Sequence, residues 1–144
     1  MAAKGNTFRN DLLKLIFQAT AIANIADNAA AAPLANLYIS LHTADPGYAG
    51  DQTTNETAYT GYARQAVART AGGFTIVADT VNPAANVDFP ACTALPGGAI
   101  THWMVGTLVA AGGKTLYVGT LTPNITMAVG VIPRVKSTST VQET

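Results

Sequence analysis

The sequence predicts a mainly β fold: an antiparallel β-sandwich or barrel of about 7–8 short strands, preceded by an N-terminal α-helix. Three observations predict it. From Asn36 onward, short runs alternate apolar and polar residues with the period of a strand, and they recur about every ten residues. Clusters of Gly, Pro, Asn and Asp separate adjacent runs. Strong helical spacing occurs at the start of the chain, and no βαβ pattern follows it. At 144 residues the chain suits a single domain, 1–144. It divides into a helix over 6–20, a β-domain over 36–136 with a long loop over 44–60, and a polar tail over 137–144.

The helix is NTFRNDLLKLIFQAT. Asn6 or Thr7 can accept a bond from an orphan N–H of its first turn. Phe8, Leu12, Leu15, Ile16 and Ala19 form one stripe, widened by Leu13 and Phe17. So apolar a helix must pack on the domain's own sheet or on another subunit. Ile22 and Ile25 extend the pattern by a turn before Asp27-Asn28 and Pro33 mark a loop.

In NLYISLH, Leu37, Ile39 and Leu41 share one face, while Tyr38, Ser40 and His42 share the other. The polar stretch ADPGYAGDQTTNETAYTG is long for a connection and reads as a contact loop or arm. YARQAVART and GGFTIVAD flank a Gly72-Gly73 turn and are expected to form a hairpin. Pro83 and Pro90 confine the following run to an edge or to bends. AITHWMVGTLV and TLYVGTLTP, joined by AAGGK, form a second expected hairpin, with Ile100, His102 and Met104 opposite Thr101, Trp103 and Val105. ITMAVGVIPRV supplies a last strand or strand pair, and the tail KSTSTVQET needs a neighbour to order it.

Composition narrows the function classes. Charged residues are 11% of the chain, against roughly 25% in ordinary soluble domains. A surface so poor in charge is what a subunit packed among neighbours shows. Net charge is zero and the eight Lys and Arg are dispersed, so the cation cluster that nucleic acid requires is missing. Cys92 is the lone cysteine, set among small apolar neighbours, and reads as a buried thiol. The run around Leu12 to Ile25 is interrupted by polar residues and is neither a signal peptide nor a membrane span. A reducing, cytoplasm-like compartment is therefore expected before the protein is used.

His42 and Asp45 invite a catalytic or metal reading. Ser40 lies two residues before His42 on one strand face, so hydroxyl and imidazole can meet. No nucleophile elbow surrounds that serine, however. Asp45-Pro46-Gly47 is better explained as a turn, in which Asp accepts a backbone bond and Gly takes the conformation other residues resist. The two histidines, His42 and His102, have no metal-site spacing. DQTTNET lacks the acid order of a calcium loop, and the glycine pairs lie in hairpin turns without a phosphate-binding frame. Trp103 is expected in the core, and Tyr38 and Tyr117 in the core or at an interface.

The segments NDLLKLIF, IANIADNAAAAPLANLYISLHTADPG, TGYARQAVART and VDFPACT together resemble a family of small virion structural proteins of tailed bacteriophages, over roughly residues 5 to 134. Members are labelled as head decoration or cement, tail-associated or tail fibre proteins. The resemblance implies a non-enzymatic, multicopy particle protein and transfers no catalytic residue. The expectation drawn from both lines is a capsid decoration or cement protein that bridges subunits of the major capsid protein. The alternatives are a tail or fibre-attachment component and, from another class, a carbohydrate-binding module for host recognition. The expected location is the virion, assembled in the host cytoplasm. Expected partners are the major capsid protein or tail proteins and further copies of the chain, as a dimer or trimer. No cofactor, metal, nucleic acid, membrane or small-molecule substrate is expected. Interface contacts are expected at Phe8, Leu12 and Phe17 on the helix, at Tyr48 and Tyr59 in the long loop, and at the two ends.

Overall fold

A computed structural model describes residues 6–22, 33–47, 49–94 and 98–143. The helix α1 runs over Asn6–Gln18. It is followed by β1 (Asn36–His42), β2 (Gln65–Ala68), β3 (Phe74–Val77), β4 (Thr80–Pro83), β5 (Val87–Asp88), β6 (Ile100–Gly106), β7 (Thr115–Ile125), β8 (Arg134–Val135) and β9 (Val141–Gln142). The fold is thus mainly β, with nine short strands in antiparallel sheets and an N-terminal helix among the described residues. One sheet has the order β2-β1-β6-β7, a second β3-β4-β9, and β5 pairs with β8.

α1 ends two residues earlier than expected. Ala19 takes a positive φ of 53°, and the Thr20 N–H reaches back to the Lys14 carbonyl at 3.1 Å, closing the helix as a C-terminal cap. The helix has no basic residue in its last turn. Arg69 supplies the missing cation from the end of β2, donating from Nε to the Ile16 carbonyl at 2.7 Å and from Nη2 to the Leu15 carbonyl at 2.9 Å. The expected extension through Ile25 and the Asp27-Asn28 loop lie outside the described residues, while Ile22 is buried.

The core lies between the two larger sheets and α1. Leu37, Ile39 and Leu41 of β1 and Trp103 and Val105 of β6 meet Phe74, Val81 and Val141 from the three-stranded sheet. The buried side of α1 carries Leu13 and Phe17, one position round from the stripe expected on Leu12 and Ile16. The shift follows from what the helix meets, because Phe17 packs edge-on against Phe74 at 4.8 Å between ring centroids. An irregularity of the β6–β7 ladder between Ile100 and His102 also places Ile100 in the core beside Trp103, although the alternation assigns them to opposite faces.

Two expectations are corrected by the pairing. β2 and β3 are not a hairpin: β2 joins β1, with Leu37 opposite Val67, and β3 joins β4, with Ile76 opposite Val81. The Gly72-Gly73 turn instead carries the chain from one sheet to the other. The tail is ordered by the chain's own sheet and needs no neighbour. Val141 pairs with Val81, the Glu143 N–H bonds the Asp79 carbonyl at 2.9 Å, and the Tyr117 hydroxyl donates to Glu143 Oε2 at 2.8 Å. The expected second hairpin is present as β6–β7. β4, expected at an edge or at bends because of Pro83, lies in the middle of its sheet. β9 covers only Thr80 and Val81, however, so Pro83 faces a partner on the β3 side alone.

Candidate functional site

Ser40 and His42 lie side by side on one face of β1. Ser40 Oγ lies 2.9 Å from His42 Nε2, and His42 Nδ1 lies 2.9 Å from the Thr54 carbonyl oxygen. A carbonyl only accepts, so Nδ1 carries the proton and the serine hydroxyl donates to Nε2. The pairing has the outline of an activated serine, with the carbonyl orienting the base. Ser40 and His42 are both 0% exposed, so the pair is closed off from the surface. Burial, the dominant effect, lowers the His42 pKa below its ordinary value and keeps the ring neutral.

The cover over this face is the long loop. Its strand-like end runs beside β1, where the Thr57 N–H bonds the Leu41 carbonyl and the Thr43 N–H bonds the Asn55 carbonyl, each at 2.9 Å. Gln52 is 0% exposed and inserts toward the β6–β7 hairpin, accepting the Leu108 N–H at 2.9 Å. Gly106 and Gly113 leave the slot for it, since a Cβ on either would collide with the Gln52 side chain. At the far end of the loop, Glu56 accepts from Arg64 Nε and Nη2 at 2.7 Å each and from the Tyr62 hydroxyl at 2.8 Å. Arg64 also donates to the Leu108 carbonyl, and the Tyr62 hydroxyl accepts the Leu41 N–H. Burial raises the Tyr62 pKa far above that of a free phenol. These groups clamp the loop onto the sheet, and none is aimed at solvent.

The predicted site residues therefore scatter. Phe17 and Tyr59 are 1% and 2% exposed, inside the chain's own core, and have no surface to offer a partner. The Tyr59 hydroxyl donates to the Pro90 carbonyl at 2.8 Å, and burial pushes its pKa up to about 12. Leu12 is half-buried on α1. Phe8 lies on α1, and Tyr48 falls outside the described residues. Asp45 makes the expected turn, its Oδ1 accepting the Gly47 N–H at 2.9 Å with Gly47 at φ 69°. Cys92 is buried as expected, and Trp103 is in the core. Among the described aromatic side chains, Tyr38, Tyr62 and Tyr117 are half-buried and the others are buried. No metal-binding group of His, Cys, Asp or Glu occurs among the described residues, and no described helix is long and apolar enough to cross a membrane.

Among the described residues, what the surface does offer is an open strand. Two grooves flank β7: one of about 480 Å³ lined by Asp45, Gly47, His102 and 115–120, and one of about 580 Å³ lined by Trp103, 119–125, Arg134, Lys136 and 138–140. In the first, His102 Nδ1 is engaged by the Thr101 hydroxyl at 2.8 Å. The alternation of β6 and β7 was legible in the sequence, but an open strand edge leaves no residue signature there.

The profile of a family described as "Podophage GP4 fiber I protein gp80" matches residues 5–142. No curated protein matches the chain.

Proposed function

The chain belongs to the podophage GP4 fiber I protein gp80 family, and from that membership we propose that it is a non-enzymatic tail or fibre component that acts by covering surface on its neighbours. It is a structural protein of the tailed-phage virion, and its partners are other virion components. The observation that carries the tail assignment is the fibre description of the matched family, which backs the alternative over the expected capsid decoration role. A role without catalysis is supported by the sealing of Ser40 and His42 under the long loop. Work through contact is supported by the low charge and by the uncapped edge of β7. Self-association into a homo-oligomer belongs to the same reading.

Quantitative peptide counting on separated particle fractions tests the assignment. The chain is expected in purified tails and absent from tailless heads. Copy numbers near those of the major capsid protein in tailless heads would overturn the tail assignment in favour of decoration.

A further inference from the structure

The outer edge of β7 is unlike the other edge of its sheet. β2 is four residues long and sits between Arg64 and Arg69. β7 is eleven residues long, TLYVGTLTPNI, and carries no charge. Among the described residues it pairs with β6 on one side only. Among the described residues, no backbone hydrogen bond outside that ladder involves 115–125. Folded proteins normally blunt such an edge with Lys, early Pro, short length or a covering segment. Here the first proline is Pro123, so Thr115–Thr122 keeps every N–H. The β6–β7 register is regular from Tyr117 to Thr120. Exposed Val118 and Thr120 alternate along one face, and open grooves lie along the strand where an added strand's side chains would go.

We propose that two copies of this chain join through β7, strand against antiparallel strand about a two-fold axis, making one eight-stranded sheet from two four-stranded ones. The inference rests on the structural reading above and names the surface that does the work. A second copy suits the edge for two reasons. An uncharged strand pairing with itself sets no like charges opposite one another. A two-fold contact also satisfies both edges at once and leaves no template for further growth. The two-fold stands normal to the sheet and runs midway between the two strands, so equal faces stay aligned and one residue of β7 lies directly opposite its own copy. Val118 and Thr120 then contribute β-branched cross-strand contacts near the centre.

Sedimentation of the full chain tests this. The wild type is expected as a dimer, and Val118→Lys with Thr120→Lys as a monomer of unchanged circular dichroism, because both positions face solvent. Val77→Lys, at a site 67% exposed on β3, is the control and stays dimeric. Should the double variant misfold, amide exchange of the wild type decides: protection within 115–122 is expected to rise with protein concentration. A monomer, a trimer, or a dimer that survives the lysines overturns the proposal, as does concentration-independent exchange. A monomer still recovered in purified tails overturns the self-pairing alone and leaves the virion role standing.

Discussion

Glu56 and Arg64 form a two-pronged ion pair at 2.7 Å on both prongs, in a chain where charged groups are sparse. The Arg64 side chain is 3% exposed and that of Glu56 16%. Removing one member strands the other away from water, which costs about 3–5 kcal/mol, whereas removing both leaves no orphan charge. Glu56→Ala and Arg64→Ala should each lower the urea midpoint steeply, and the double variant should lose far less than the sum of the two. Additive losses would show that the clamp is not a coupled unit.

His42 gives stability a pH dependence whose sign follows from burial. Its pKa in the fold lies below the ordinary 6.5, so below that pH the unfolded chain binds the extra proton first. Stability is complete above about 6.5 and falls as the pH drops through the window between the two pKa values. Asp51 and Asp88, held below the usual carboxylate range by Thr53 and Arg134, act only at more acid pH. Urea midpoints should therefore be level between pH 7.5 and 9 and decline toward pH 5. His42→Asn, which keeps a donor for the Thr54 carbonyl, should flatten the decline.

The legible part of this molecule is its local alternation. Leu37, Ile39 and Leu41 all reach the core as their spacing requires, and Ser40 meets His42 because residues two apart share a strand face. What spacing does not encode is the far side of a sheet. That the face of Ser40 is sealed depends on Gln52 finding a slot between two glycines 50 or more residues downstream. A glycine pair likewise announces a reversal at Gly72-Gly73 without saying which sheet each flanking strand joins. The polar tail reads as loose because its anchoring is by Val81, Asp79 and Tyr117, all remote in sequence. Helix periodicity marked Phe17 as apolar but could not tell a core contact with Phe74 from a contact with another subunit.

Arg69 holds the end of α1 against the sheet with a geometry that lysine cannot copy. Its guanidinium donates to the carbonyls of Leu15, Ile16 and Leu34 from three separate nitrogens. Hydrogen bonds to a charged group contribute about 1.5–3 kcal/mol each in favourable cases, and these are partly screened. Arg69→Ala is expected to cost about 2–3 kcal/mol in chemical denaturation. Arg69→Lys should recover less than half of that, since a point charge serves one carbonyl well and three poorly. Full recovery by lysine would mean that charge alone caps the helix.

The fit of Gln52 into the β6–β7 hairpin predicts an asymmetric coupling. A methyl group on Gly106 meets the Gln52 amide carbon and must push it out, and overpacking of this kind costs about 1–3 kcal/mol. Gln52→Ala alone strands the Leu108 N–H, at a similar cost of about 1–3 kcal/mol, although it also removes the buried Gln52 Nε2, which has no partner of its own. With the long side chain already gone, the added methyl enters vacated space. Gly106→Ala combined with Gln52→Ala should therefore be less destabilised than the sum of the singles by about 0.5–3 kcal/mol, read as a double-mutant cycle in urea. The same cycle run with Gly119, whose added Cβ would meet Trp103 instead of Gln52, should show additivity. Coupling at Gly119 equal to that at Gly106 would mean a general loosening of β6 and β7, not a specific lock between the loop and the hairpin.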